Sequence, residues 1–145
     1  MNSSNDESSS VRPSKIPKLL RDEVAARGNY ACEYCGIAED LAFSAHHVDH
    51  VIAQQHGGST TRDNLAYSCA VCNRHKGSNI ASVAVDTGRV VPLFNPRTQV
   101  WSEHFACRGG RIEPLTETGR VTERLLQFNK LIRINERLQT DFKKK

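Results

Sequence analysis

The sequence predicts an α+β fold, and three observations carry that prediction. Two Cys-x-x-Cys pairs, Cys32/Cys35 and Cys69/Cys72, bracket a segment that reads as strand, loop, strand and helix. Apolar residues at helical spacing precede this segment. A hairpin signal and two apolar helical stripes follow it. The expected architecture is a small core stapled by a four-cysteine metal site, with an N-terminal helix and a C-terminal hairpin/helical extension.

Residues 1–15 are rich in Ser, Asn, Asp and Glu and carry almost nothing apolar, so a tail without fixed structure is expected there. Residues 16–145 are read as one domain. Pro17 suits the first turn of a helix, Ile16, Leu19, Leu20 and Val24 recur at helical spacing, and Arg27-Gly28-Asn29 supplies the stop. Leu41 to Ile52 alternate between apolar and polar, as a strand does. Gly57-Gly58-Ser59 breaks the pattern as a loop, and Asn64–Ser68 forms the second strand. A short helix over Asn73–Lys76 follows, stopped by Gly77.

Downstream, Asp86-Thr87-Gly88 between apolar runs marks a hairpin turn, with further turns at Asn95-Pro96-Arg97 and Arg108-Gly109-Gly110-Arg111. Thr116 to Asn129 has a capping-type start and places Leu125, Leu126 and Phe128 on one side. Leu131, Ile134 and Leu138 indicate a final helix, ahead of a solvated Lys143-Lys144-Lys145.

Composition narrows the function classes. A hydrophobic fraction of 38% over 145 residues allows a modest core that gains from a staple. A net charge of +4 suits a polyanionic partner without demanding one. No apolar run is long enough to span a bilayer, and the polar, acidic start is unlike a secretory signal, so a cytoplasmic, membrane-free protein is expected. The sequence is silent on oligomeric state.

Five cysteines without a signal peptide argue against a disulfide framework. Two units of identical spacing can instead turn four thiolates toward one point, the tetrahedral donor set of Zn2+. Such a site has no open coordination position, so Cys32, Cys35, Cys69 and Cys72 point to a structural ion. Cys107 lies outside the pattern and reads as a small buried apolar residue.

The segment between the pairs is dense in proton-transferring and metal-capable groups. Of six histidines, His46, His47, His50, His56 and His75 fall between residues 46 and 75, alongside Asp49, Asn64 and Asn73. The runs His47-Val48-Asp49-His50-Val51-Ile52, Gly57-Gly58, Asp63-Asn64-Leu65 and Cys69-Ala-Val-Cys72-Asn73-Arg74-His75-Lys76-Gly77 closely resemble the HNH endonuclease pattern, over about residues 30–80. The stretch from Asn79 to Phe105 more loosely resembles an extension found in free-standing bacterial members.

The resemblance implies a ββα-metal core and a DNA-cleaving activity that leaves a 5′-phosphate and a 3′-hydroxyl. It makes His50 the general base and Asp49 a ligand of a catalytic divalent ion. Asn64 corresponds to the brace that helps orient the base, and Asn73 to the second ligand, so the triad reads His-Asn-Asn. Oxygen donors favour a hard ion, Mg2+ or Mn2+. Arg74, His75, Lys76 and His56 are the candidate nucleic-acid contacts. Because Asp49 and His50 are adjacent on a strand, their side chains should point to opposite faces, and a bend near 49–50 is expected to bring both to the phosphate. A zinc-knuckle DNA-binding module without catalysis, and a nuclease acting as a toxin or defence effector, are alternatives at this level.

Overall fold

The structure, a computed structural model, describes residues 15–139; most of the expected N-terminal tail and Lys143–Lys145 lie outside them. The fold is α+β: three two-stranded antiparallel ribbons and five helices among the described residues. Helix α1 spans Lys18–Arg27, entered through Pro17 and ended at Gly28. Ile16 and Leu20 pack with Val24, Ala25, Leu65 and Tyr67. Leu19 does not join them; it is 84% exposed, because it sits one position off that stripe.

Strand β1 is His47–His50 and pairs with β2, Leu65–Ser68, in the register His47 to Ser68 and His50 to Leu65. The long strand expected over Leu41–Ile52 is thus cut to four residues. Glu39–Leu41 is a 3-10 turn instead, and β2 offers only four residues to pair with. All of β2 is buried. Leu65 and Tyr67 face α1, while Ala66 joins the cysteines and the aromatic residues of the extension.

Helix α2, Ala70–Lys76, starts directly after Cys69, three residues before the expected Asn73. Cys69 is its N-cap, with Sγ accepting the Cys72 amide at 3.4 Å, so the second Cys-x-x-Cys turn and the first helical turn are one structure.

The extension carries two hairpins. β3 (Ala81–Val83) and β4 (Val90–Pro92) flank the turn expected at Asp86-Thr87-Gly88. A short helix α3 (Trp101–His104) precedes β5 (Phe105–Arg108) and β6 (Arg111–Pro114), joined across Gly109-Gly110 as expected. Helix α4 (Glu117–Leu125) is capped by Thr116, whose hydroxyl accepts the Gly119 amide at 3.0 Å. Helix α5 is Leu131–Leu138.

One apolar cluster unites the two halves. Cys32, Tyr34, Cys35, Cys69 and Cys72 pack with Phe94, Trp101, Phe105, Ile112, Leu126 and Phe128. Phe105 stands 5.5 Å from both Phe94 and Phe128, and 5.0 Å from Trp101, ring centre to ring centre. Each such buried ring contributes roughly 1.5–3 kcal/mol of hydrophobic stabilisation. Polar ties follow the same seam: Trp101 Nε1 donates to the Tyr34 carbonyl at 2.8 Å, and Arg97 pairs with Glu33, between Cys32 and Cys35.

Helix α5 departs from its expected stripe. Leu131 and Leu138 are exposed, and Ile134 is buried between Arg133 and Arg137. Arg137 binds the carbonyls of Gly110 and Phe128 at 2.7 and 2.6 Å, so a guanidinium caps loop ends that an apolar side chain would leave unsatisfied.

A candidate nuclease site beside a four-thiol cluster

Cys32, Cys35, Cys69 and Cys72 come together as the spacing demanded. All four are buried, and their ligand atoms lie within 4.8 Å of one another, Cys35 to Cys69 at 3.7 Å. A tetrahedral ion with bonds of about 2.3 Å separates its sulfurs by roughly 3.8 Å, so the cluster can form a zinc site. Cys107 is only partly buried and packs against the edge of the main cluster.

Arg133 reaches this cluster from α5. Its Nη2 donates to Cys69 Sγ at 3.3 Å and Cys72 Sγ at 3.2 Å, while Nη1 holds the Leu126 and Gln127 carbonyls. The arginine is 4% exposed. Burial alone would disfavour its charge, but the thiols of Cys35, Cys72 and Cys69 push its pKa up. For Cys35, burial opposes ionisation; hydrogen bonds from the other three cysteines and the Arg133 charge outweigh it and hold this thiol well below its ordinary value.

A cleft of about 310 Å³ opens on the other side of α2, lined by residues including His47, Asp49, His50, Gln54, Asn73 and Gly77. It borders the free edge of β1, where consecutive residues from both faces can contribute. That resolves the expected conflict between Asp49 and His50 without a bend at 49–50. The chain turns one step later, at Val51–Ile52, because Asn64 grips Ile52 from both sides. Asn64 Oδ1 accepts the Ile52 amide at 2.9 Å, and Nδ2 donates to the carbonyls of Ile52 at 2.9 Å and Ser59 at 2.8 Å. Asn64 therefore touches the backbone around His50 and not its ring.

Asp49 lies at the floor of the cleft. Asn73 Nδ2 donates to its Oδ1 at 3.3 Å, Tyr34 Oη donates to its Oδ2 at 3.4 Å, and Lys76 Nζ sits 3.1 Å from the same oxygen. Burial raises the Asp49 pKa, and the Lys76 charge opposes that rise. His50 is pushed below its ordinary value, first by burial, then with Lys76 against and Asp49 in favour of the protonated ring. Its Nε2 lies 2.9 Å from Thr60 Oγ1.

Other sequence candidates spread outward. Lys76, expected at a phosphate, is buried; it donates to the His50 carbonyl at 3.0 Å besides pairing with Asp49. His56 is exposed, its Nε2 3.1 Å from the Ser78 carbonyl, and Arg74 is exposed on α2. His75 is half-buried, 3.5 Å from Gln127. His46 is buried against Tyr67 with Nε2 on the Ile37 carbonyl, a structural place away from the cleft. Sequence reasoning did not single out Tyr34, Thr60 or Arg133. For Lys76 a signal existed: Asn73 and Lys76 are three apart on one helix and must share a face.

A short antiparallel ribbon, the helix that follows it and a cleft lined by Asp49, His50 and Asn73 thus lie together. Residues 32–79 match the family model described as HNH endonuclease. The "CRISPR-associated endonuclease Cas9" of Corynebacterium diphtheriae is 38% identical over 68 residues, covering 46% of this chain and 6% of that protein. The chain thus spans a small fraction of that relative's length. No solved structure gives a significant match. No helix among the described residues is long and apolar enough to cross a membrane.

Proposed function

We propose that the chain is a metal-dependent endonuclease that hydrolyses DNA phosphodiester bonds, with His50 as general base. The observation that carries this reading is the convergence of Asp49, His50 and Asn73 on one open cleft. Asp49 and Asn73 offer hard oxygen donors, Asn73 after a half-turn of its amide, and suit Mg2+ or Mn2+. When bound there, such an ion supplies charge stabilisation to a phosphate oxygen and to the departing 3′ oxygen. The four thiols read as a closed structural Zn2+ site.

The remaining work falls to the chain's own side chains. His50, with its lowered pKa, is neutral near pH 7 and can take a proton from the attacking water. Lys76 holds the Asp49 carboxylate and the His50 carbonyl together. Asn64 fixes the turn that ends β1. Arg74, His75 and His56, around α2 and the loop, are the side chains proposed to meet the phosphate backbone. Products carry a 5′-phosphate and a 3′-hydroxyl.

A plasmid-nicking assay with Mg2+ or Mn2+ decides the proposal. Wild type should nick, and His50→Ala and Asp49→Ala should not. Equal activity in all three would sink the assignment, and DNA binding without cleavage under either ion would point to a non-catalytic zinc-knuckle module.

A further inference from the structure

The loop that follows the catalytic strand is held against it with unusual care. Gly57 adopts φ +90°, and at Gly58 a Cβ would collide with the Ile52 carbonyl oxygen, so the loop can approach the end of β1 only without side chains there. Asn64 then clamps Ser59 to the same point. The residue delivered by this clamp is Thr60, whose Oγ1 lies 2.9 Å from His50 Nε2. Gln54 Nε2 donates to the same hydroxyl at 3.2 Å.

The donor inventory restricts what this triad can be. An amide nitrogen can only donate, so Gln54 occupies one lone pair of the Thr60 oxygen and leaves the other free. Two arrangements remain for the ring. If the Thr60 hydroxyl donates to Nε2, the neutral imidazole carries its proton on Nδ1 and has no free lone pair for water. If Nε2–H donates to Thr60, Nδ1 is bare. Nδ1 has no protein partner among the described residues, so the second arrangement leaves a base ready to act.

We infer that Thr60 is the positioning residue of His50: it accepts the Nε2–H, fixes the ring's rotation and selects the tautomer with a bare Nδ1. This rests on the reading of His50 as general base. The bond survives proton uptake, because the imidazolium keeps its Nε2–H while Nδ1 takes the proton from water. Asn64, which touches no ring atom, acts through the same chain by holding Ser59 and so Thr60.

The test has two arms. Long-range 1H–15N spectra of wild type with Mg2+, at about pH 8 where His50 is neutral, read the tautomer without using activity. An Nε2-protonated ring is expected, and an Nδ1-protonated ring overturns the inference. Nicking kinetics of Thr60→Val and Thr60→Ser form the second arm. A positioned general base contributes about 10²–10⁴-fold, and partial loss of its orientation should lower the Thr60→Val kcat by roughly 10–100-fold. KM should stay within about twofold, since Thr60 is not proposed to bind DNA. Thr60→Ser, which keeps the hydroxyl, should recover most of kcat. An unchanged kcat in a folded Thr60→Val, or a Ser variant as slow as the Val variant, overturns it. Should wild type fail to cleave, the general-base reading falls, while the spectrum still decides whether Thr60 holds the ring.

Discussion

Lys76 Nζ lies 3.1 Å from Asp49 Oδ2, with Lys76 2% exposed and Asp49 8% exposed. The carboxylate proposed to hold a divalent ion thus already has a cation at its side. Removing one member of a buried pair typically costs about 3–5 kcal/mol, because the other charge is left unpaired. Lys76→Met, with zinc in place, should lose stability on this order in urea unfolding. Added Mn2+ should restore part of the loss, and stabilise the variant more than wild type, because it supplies Asp49 with a replacement cation.

Asn64 holds three backbone groups around the turn after His50. Leaving partly buried backbone groups such as these unsatisfied costs up to about 1–3 kcal/mol. Asn64→Ala should therefore show a lower urea midpoint and, since that turn is proposed to aim His50, a kcat for nicking reduced by about tenfold or more. Comparing both readouts in one preparation checks the coupling.

Glu39 gives a pH dependence clear of the proposed metal ligands. Burial raises its pKa, but hydrogen bonds from Tyr67 Oη at 2.6 Å and the His46 amide at 2.9 Å, with the His46 charge, lower it further, and the net direction is down. The folded carboxylate therefore binds its proton less tightly than the unfolded one. Its stabilisation is complete above the ordinary value of 4.5 and is lost as pH falls through the lower folded value. Glu39→Gln should be less stable than wild type at neutral pH. The gap between the two should close on acidification below about pH 4.5, as measured by unfolding curves of both proteins in parallel.

Arg133 donates to two thiols of the cluster from 61 and 64 residues away. Partners that hydrogen-bond metal ligands are commonly worth about 10–100-fold in metal affinity. Arg133→Leu should weaken zinc retention by that order in competition with a chromogenic chelator. Amides of α5 in the variant should also exchange faster with solvent.

The parts of this molecule legible in the sequence are those set by short spacing. Cys32/Cys35 and Cys69/Cys72 are each three apart, and Asp86-Thr87-Gly88 and Gly109-Gly110 are local turn chemistry, so each fixes its own geometry. What needed the structure is set by partners far along the chain. The alternation over Leu41–Ile52 looked like a long strand, yet pairing extends only as far as the four residues of β2 allow. Leu131 and Leu138 made the apolar pattern of α5, but Arg133 and Arg137 are buried, where their guanidinium groups satisfy the carbonyls and thiols they meet. Lys76 shares a helix face with Asn73, but that spacing alone does not announce that Asp49 lies beneath it. Thr60 is one threonine in a polar loop until Asn64 is seen to place it.

The union of the cysteine cluster with Phe94, Trp101, Phe105 and Phe128 bears on how the matched segment could be moved between proteins. The recognisable motif ends at residue 79, but the arginine against its thiols is Arg133, and the indole bonded to the Tyr34 carbonyl is Trp101. A transplant cut at the motif's borders would bare an aromatic seam and strip the cluster of its cation. A working graft should carry the chain through α5.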